Sequence, residues 1–248
     1  MTVPEDELEK LFFNLSSESR LDILYAVSDE RLRMNEIAKK VNITATEASR
    51  QIQRLGDESL IQKHTDGTYE LSNFGQLVLH FMPMFGFFVR HKTYFMDHDI
   101  WAIPKEFISR LGELAEGVLV EELAEIVNRI ESMMRSAEEY VYVITDQVMN
   151  VHSRVMDEQT SKGVKFRSIA HVKLVNPQAK KYQGDVETRF LKSIPGLLVV
   201  TEKEGFFALI SEDGKLSQCG FYGTDASLLD WINDIFAYYW ERAEKTPK

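Results

Sequence analysis

Residues 44–55, TATEASRQIQRL, constrain the fold more than any other stretch of the chain. Ala45, Ala48, Ile52 and Leu55 recur at helical spacing and define a narrow apolar edge, while Thr46, Ser49, Arg50, Gln53 and Arg54 fill the positions between them. Thr44 and Glu47 open the stretch as a T-x-x-E pair, in which each side chain can satisfy a backbone N–H at the other end of the first turn. A helix with one thin greasy edge and an outward face of hydrogen-bond donors needs a small domain behind it and a polar polymer in front of it.

The flanking sequence supplies that domain. ELEKLFFNL places Leu8, Leu11, Phe12 and Leu15 at helical spacing, and SSESRLDILYAV repeats the pattern with Leu21, Leu24 and Val27. A third short helix over 35–41 contributes Ile37, Ala38 and Val41, and NIT then turns tightly into 44–55. Beyond it, LIQKHTDGTYELS reads as strand, turn and strand, because Asp66-Gly67 offers the positive backbone angles of a tight hairpin. This order is a helix-turn-helix with a wing, a unit that presents one helix to the DNA major groove.

In that frame Arg50 and Arg54 suit guanine or phosphate, Gln53 suits adenine, and Thr44, Thr46 and Ser49 suit phosphates or bases. Lys63 and His64 on the wing would lie near the flanking phosphates, where a cation releases counterions but reads little sequence. Winged helices also mediate assembly, so a module that contacts another protein is an alternative to DNA binding.

Charge supports a local nucleic-acid face and not a coating one. The 248 residues carry a net −10, which repels phosphate from the surface at large. Between Arg31 and Lys63, however, seven basic residues stand against four acids, a local +3 that leaves −13 for the remainder. A single cysteine, Cys219, can form neither an internal disulfide nor a thiolate metal site, and no basic-then-apolar leader opens the chain, so a reducing cytoplasm is expected. FMPMFGFFV, residues 81–89, is too short to span a bilayer and is interrupted by Pro83 and Gly86, so no membrane partner is expected.

The first 80 or so residues, through LSSESRLDILYAV, MNEIAKKVNITATEASRQIQRLGDESLIQKHTDGTYELSNFGQLVL, resemble the winged-helix domain of archaeal ArsR-type and TrmB-type repressors. The cysteine motif of the arsenic-responsive members is missing, which excludes thiolate metal sensing. RHKTYFMDHDIWAIPKEFISRLGEL, residues 90–114, is similar to the middle domain of archaeal methanogenesis and filament-formation regulators of the FilR type, with their H-x-x-Y-x-x-x-H-D and I-P-x-x-F run. Together these resemblances extend across most of the chain and imply a dimeric transcription regulator acting on a double-stranded operator.

Within the middle segment, His91, Asp97, His98 and Asp99 are apt metal ligands by type, but three or four must converge, and a role in stitching a loop is the simpler expectation. Phe81, Phe85, Phe87, Phe88, Tyr94, Phe95 and Trp101 are more apolar surface than one thin helix can hide. They should face another domain or another subunit.

Toward the C-terminus, EGVLVEELAEIVNRIESMMRSAEE reads as one long amphipathic helix with Val120, Leu123, Ile126, Val127, Ile130 and Met134 inward. YVYVIT is a strand, DQVMNVHSRVMDEQTSK a helix with Val148, Val151, His152 and Val155 inward, Gly163 its terminator, and VKFRSIAHV a second strand. That succession implies parallel pairing through a right-handed crossover. GLLVVTE and GFFALISEDGKLSQCGFY add strands, with Cys219 expected as a small buried strand residue without a basic neighbour. DASLLDWINDIFAYYWERAEK closes as a helix with Leu228, Ile232, Ile235, Phe236 and Tyr239 on its buried edge.

This pattern resembles a degenerate phospholipase-D-like domain. Enzymes of that type use H-x-K-x-x-x-x-D, with histidine as nucleophile. Here HVKLVNPQ offers His171 and Lys173 but places Gln178 at the aspartate, and FFALISED keeps Asp213 while Phe206 and Ala208 stand in the histidine and lysine slots. The resemblance thus implies a non-enzyme, with a phosphodiesterase carrying a winged helix as the alternative. A pocket could survive the loss of chemistry, and Arg167, His171, Lys173, Arg189 and Lys192 are the cations that could meet a small anionic effector. The expected architecture is α+β: a winged helix over 1–78, a helical aromatic linker and interface segment over 79–116, and an α/β effector or dimerisation domain over 117–248, with no cofactor and no metal.

Overall fold

The computed structural model describes residues 5–147, 153–175, 184–215, 217 and 219–245. They form two compact units, Met1–Pro83 and Met84–Lys248.

In the first unit α1 (Glu5–Leu15) and α2 (Glu18–Asp29) precede β1 (Leu32–Arg33), α3 (Met34–Lys40), α4 (Ala45–Asp57), β2 (Ile61–Lys63) and β3 (Thr68–Leu71). The strands make an antiparallel sheet in the order β1-β3-β2. β1 is an addition to the expected hairpin: its two residues give Leu32 and Arg33 the partners Tyr69 and Thr68, too short a run to leave a periodic signal. Ile23, Leu24, Val27, Ile37, Ala48, Ile52, Leu55 and Leu60 meet in one core. Asn42, at φ 57°, reverses the chain between α3 and α4 in the left-handed region that asparagine tolerates.

Ser72 then starts α5 (Asn73–Arg90), accepting the Gly75 N–H at its hydroxyl over 2.9 Å. A Cβ on Gly75 would stand 2.0 Å from the Leu60 carbonyl oxygen, so only glycine lets the first turn of α5 lie against the α4–β2 connection.

The second unit receives the end of α5, then α6 (Lys92–Asp97), α7 (Lys105–Ile108), β4 (Val118–Val120), α8 (Leu123–Ser136), β5 (Tyr140–Thr145), α9 (Ser153–Ser161), β6 (Lys165–His171), β7 (Val186–Leu191), β8 (Gly196–Thr201), β9 (Gly205–Leu209), β10 (Gly220–Gly223) and α10 (Ala226–Arg242). Seven strands pair in the order β4-β10-β9-β8-β5-β6-β7. β5, β6 and β7 are mutually parallel, the others antiparallel, and the β5–α9–β6 crossover is the parallel pairing that the sequence implies.

Strand alternation gives the sheet two apolar faces. Val141, Val143, Phe166, Val199, Phe206 and Ala208 meet α8 and α9 on one; Leu198, Val200, Phe207, Leu209 and Phe221 meet α10 on the other.

Three expectations are corrected here, and a fourth falls mostly outside the described residues. The long helix over EGVLVEELAEIV breaks into β4 and α8: Val120 is buried as a strand residue paired with Gly220, and Leu123 lies exposed. The segment expected as a linker is part of the α10-side core, to which it contributes Phe87, Tyr94, Ile103, Phe107, Leu111 and Leu114, while Phe81, Phe85 and Trp101 remain exposed. β7 had no counterpart in the expected strands. In α9, Val155 is buried as expected, whereas Val148, Val151 and His152 lie outside the described residues.

Candidate nucleic-acid interface

α4 is built to hold its outer face still. Thr44 accepts the Glu47 N–H at 3.2 Å and caps the first turn, and the terminal carbonyl layer is taken up by the Glu58 N–H. The carboxylate that reaches back to an N-terminal amide is found one helix earlier, where Glu36 accepts the Arg33 N–H at 2.6 Å. The buried edge consists of Ala48, Gln51, Ile52 and Leu55. Ala45, expected on that edge, is exposed, and Gln51 takes its place.

Gln51 is buried because Arg20 is waiting for it. The Arg20 guanidinium, 4% exposed, donates from Nη1 to Gln51 Oε1 at 3.1 Å, from Nε to Asn14 O at 3.0 Å and from Nη2 to Phe13 O at 2.6 Å. It thereby ties the end of α1 and the body of α2 to α4. All three acceptors are neutral, so a whole positive charge sits beneath the recognition helix, and its pKa is lowered first by burial and then by the neighbouring Arg54. Sequence reasoning missed this pair; the signal was Arg20 standing four residues before Leu24 and seven before Val27, on the buried row of α2.

Thr46, Ser49, Arg50, Gln53 and Arg54 are all exposed along one side of α4. Neither Arg50 nor Arg54 has a hydrogen-bond or ion-pair partner among the described residues. Ser49 and Gln53 share a groove of about 310 Å³ with Lys63 and Tyr69 of the wing. Lys63 is exposed, with its ammonium 5.6 Å from the Tyr69 ring centre.

His64 is placed differently from the other seven. Its Nε2 lies 2.6 Å from Glu70 Oε1, and the same carboxylate accepts from Gln62 at 2.7 Å and meets Arg31 at 2.5 Å. These contacts, Gln62 foremost, hold Glu70 down to about 2. His64 therefore braces the wing against a permanent anion instead of projecting freely.

The cations of the second unit also separate. Arg167 pairs with Asp185 at 2.7 Å, and Arg189 pairs with Glu187 at 3.0 Å while donating to Trp240 O and stacking 4.1 Å over that ring. Both fasten sheet edges. His171 and Lys173 instead line a cavity of about 340 Å³ with Lys192, Ser193 and Asp146, where the parallel strands β6 and β7 end. The slots of the phosphodiesterase motif at Phe206 and Ala208 are fully buried in the sheet, and Gln178 lies outside the described residues.

Residues 8–86 match the family described as the HVO_A0261 N-terminal domain. A curated relative, the methanogenesis regulatory protein FilR1 of Methanothrix harundinacea (strain 6Ac), is 23% identical over 266 aligned residues that cover 97% of this chain and 58% of that protein. The chain thus spans less than two thirds of the relative's length. Among solved structures, TrmBL2, an archaeal chromatin protein with a novel mode of DNA binding, is 16% identical with a TM-score of 0.45, covering 98% of this chain and all of that one. The homodimeric winged helix-turn-helix domain of Mb0332 from Mycobacterium bovis is 20% identical with a TM-score of 0.27, covering 32% of this chain and 82% of that one. Superpositions this loose carry no function by themselves, and these matches give no support to a phospholipase-D-like type for the second unit.

Proposed function

We propose that the chain is a sequence-specific, DNA-binding transcription regulator that works as a homodimer. The observation that carries this is the outer face of α4: five polar and cationic side chains, exposed and in a row on a capped helix locked from beneath by Arg20. Thr46, Ser49, Arg50, Gln53 and Arg54 read the major groove, and Lys63 holds the flanking phosphate. The family matched by residues 8–86 and the regulatory role of FilR1 support the same reading. Thr44 serves it through the cap and His64 through the wing.

Purified protein titrated against fluorescent genomic fragments tests the proposal. Saturable binding to a subset of fragments is expected, with log affinity falling linearly in log salt by roughly 0.9 per phosphate neutralised. Binding to no fragment, at any salt, overturns it.

The dimer rests on α5. In the first unit Phe74, Leu77 and Phe81 of α5 follow one another at three- and four-residue steps and are all exposed, as are Leu8 and Phe12 of α1. Such a row is self-complementary, which suits a two-fold contact that sets two recognition helices about one DNA turn apart, roughly 34 Å. Leu77→Glu combined with Phe81→Glu is expected to turn a sedimenting dimer into a monomer; an unchanged sedimentation coefficient removes this face from the interface. The His171 and Lys173 cavity is the part of the second unit suited to a small anionic effector, Lys192 adding a second ammonium beside that of Lys173.

A further inference from the structure

One cavity of the second unit takes no part in the DNA reading. It encloses about 600 Å³, within the roughly 300–1,000 Å³ of small-molecule sites. Its floor is aromatic: Tyr94 stacks on His98 at 3.9 Å, and both Tyr94 and His91 meet Phe221 edge-on, at 4.9 and 5.1 Å. The floor is also fixed. The Tyr94 hydroxyl accepts the Leu209 N–H at 2.9 Å, and the buried His98 ring lies 2.6 Å from Tyr94 O at Nδ1 and 2.6 Å from Ser217 Oγ at Nε2. The ring so joins two parts of the chain 119 residues apart through contacts at both of its nitrogens.

The walls are electronegative. Asp97 and Glu121 both line the cavity, and neither carboxylate has a hydrogen-bond or ion-pair partner among the described residues. The half-buried Cys219 thiol, 3.6 Å from His98 Nε2, is pushed up by burial and then by the charges of Glu121 and Asp97. Arg90 is the opposing cation on the lining, outnumbered two to one by carboxylates.

We propose that this cavity binds a small organic cation, an amine or quaternary ammonium compound with an apolar body. Ring faces attract a cation through their negative π-density, and the two lining carboxylates add long-range attraction while repelling anions. A metal ion fits less well, because among the described residues no three histidine, cysteine or acidic side chains converge as ligands. The site stands independently of the DNA reading, and its ligand need not alter operator affinity for the proposal to hold.

Calorimetric titration of the full chain with putrescine and, separately, with choline tests it, with acetate, inorganic phosphate and zinc chloride as further arms at matched ionic strength. Saturable binding of at least one cation, one per chain, is expected. Asp97→Asn with Glu121→Gln should weaken it by tenfold or more, and both side chains are exposed enough for the fold to tolerate the change. Because Cys219 is the sole cysteine, N-ethylmaleimide labels one position, and the labelled protein should no longer bind the cation. Three results overturn the proposal: no saturable binding of either cation, cation binding that survives both the double substitution and the label, or label-sensitive binding of acetate, phosphate or zinc in place of the cations.

Discussion

Arg50→Ala and Arg54→Ala are each expected to weaken binding to a selected operator by about 1–3 kcal/mol, up to roughly a hundredfold. Both guanidinium groups project from α4 without a hydrogen-bond or ion-pair partner among the described residues, so removing either takes no such contact from them, and the melting temperature should stay put. Where the loss falls separates two roles. A base-reading arginine loses affinity for the operator but little for random duplex, which relaxes specificity at one position; a phosphate-binding one weakens both alike and lowers the salt slope by about one unit. Fluorescence anisotropy on operator and scrambled duplex, across a salt series, distinguishes them. Wild-type binding in both variants would remove α4 as the reading element.

Arg20→Met should act on the same measurement by another route. Methionine fills part of the volume but takes the guanidinium donors from Gln51 Oε1 and the Asn14 carbonyl, and leaves the Phe13 carbonyl with the Ser16 hydroxyl in place of two donors, so stability falls together with affinity. A drop in affinity accompanied by a drop in melting temperature marks a residue that positions the helix, in contrast to Arg50 and Arg54.

What could be read in advance follows from how local its causes are. The cap at Thr44, the apolar recurrence of Ala48, Ile52 and Leu55, and the hairpin turn at Gly67, φ 83°, are set by neighbours within a few residues, and each leaves a mark in the sequence. β4 leaves a misleading one. Val120 falls in helical step with Leu123 and Val127 as well as with a strand, and its state is decided by pairing with Gly220, a hundred residues away. The aromatic richness of 81–101 was visible, but its destination, the α10-side core for Phe87 and Tyr94, depends on long-range packing. The same holds for the candidate sites. Arg50, Gln53 and Arg54 could be named from helical phase alone. Arg167 and Arg189 could not be separated from His171 and Lys173 until Asp185 and Glu187 were placed beside them, nor could His98 be set beside Cys219.

Trp231→Ala is expected to cost about 3–5 kcal/mol, the largest single effect on stability. Trp231 is fully buried on α10 and lies at the junction that joins the aromatic segment to the sheet. Its ring meets Phe207 of β9 at 4.8 Å and Phe107 of α7 at 6.1 Å, both edge-on, and its indole N–H donates to Phe107 O at 3.1 Å. Alanine opens a cavity that neighbours on a sheet and two helices cannot jointly close, and it takes the indole donor from the Phe107 carbonyl, which keeps the Arg110 N–H. Trp231→Phe keeps most of the ring contacts and loses one of the donors to Phe107 O, so its cost should be about 0.5–1.5 kcal/mol. Against a total of about 5–15 kcal/mol for a typical domain, the alanine variant should unfold at a much lower urea concentration while the phenylalanine variant shifts modestly, followed by far-UV circular dichroism. If the alanine variant unfolds within about 1 kcal/mol of the wild type, the aromatic segment is not anchored through Trp231, and the floor of the Tyr94 cavity loses the support that its rigidity requires.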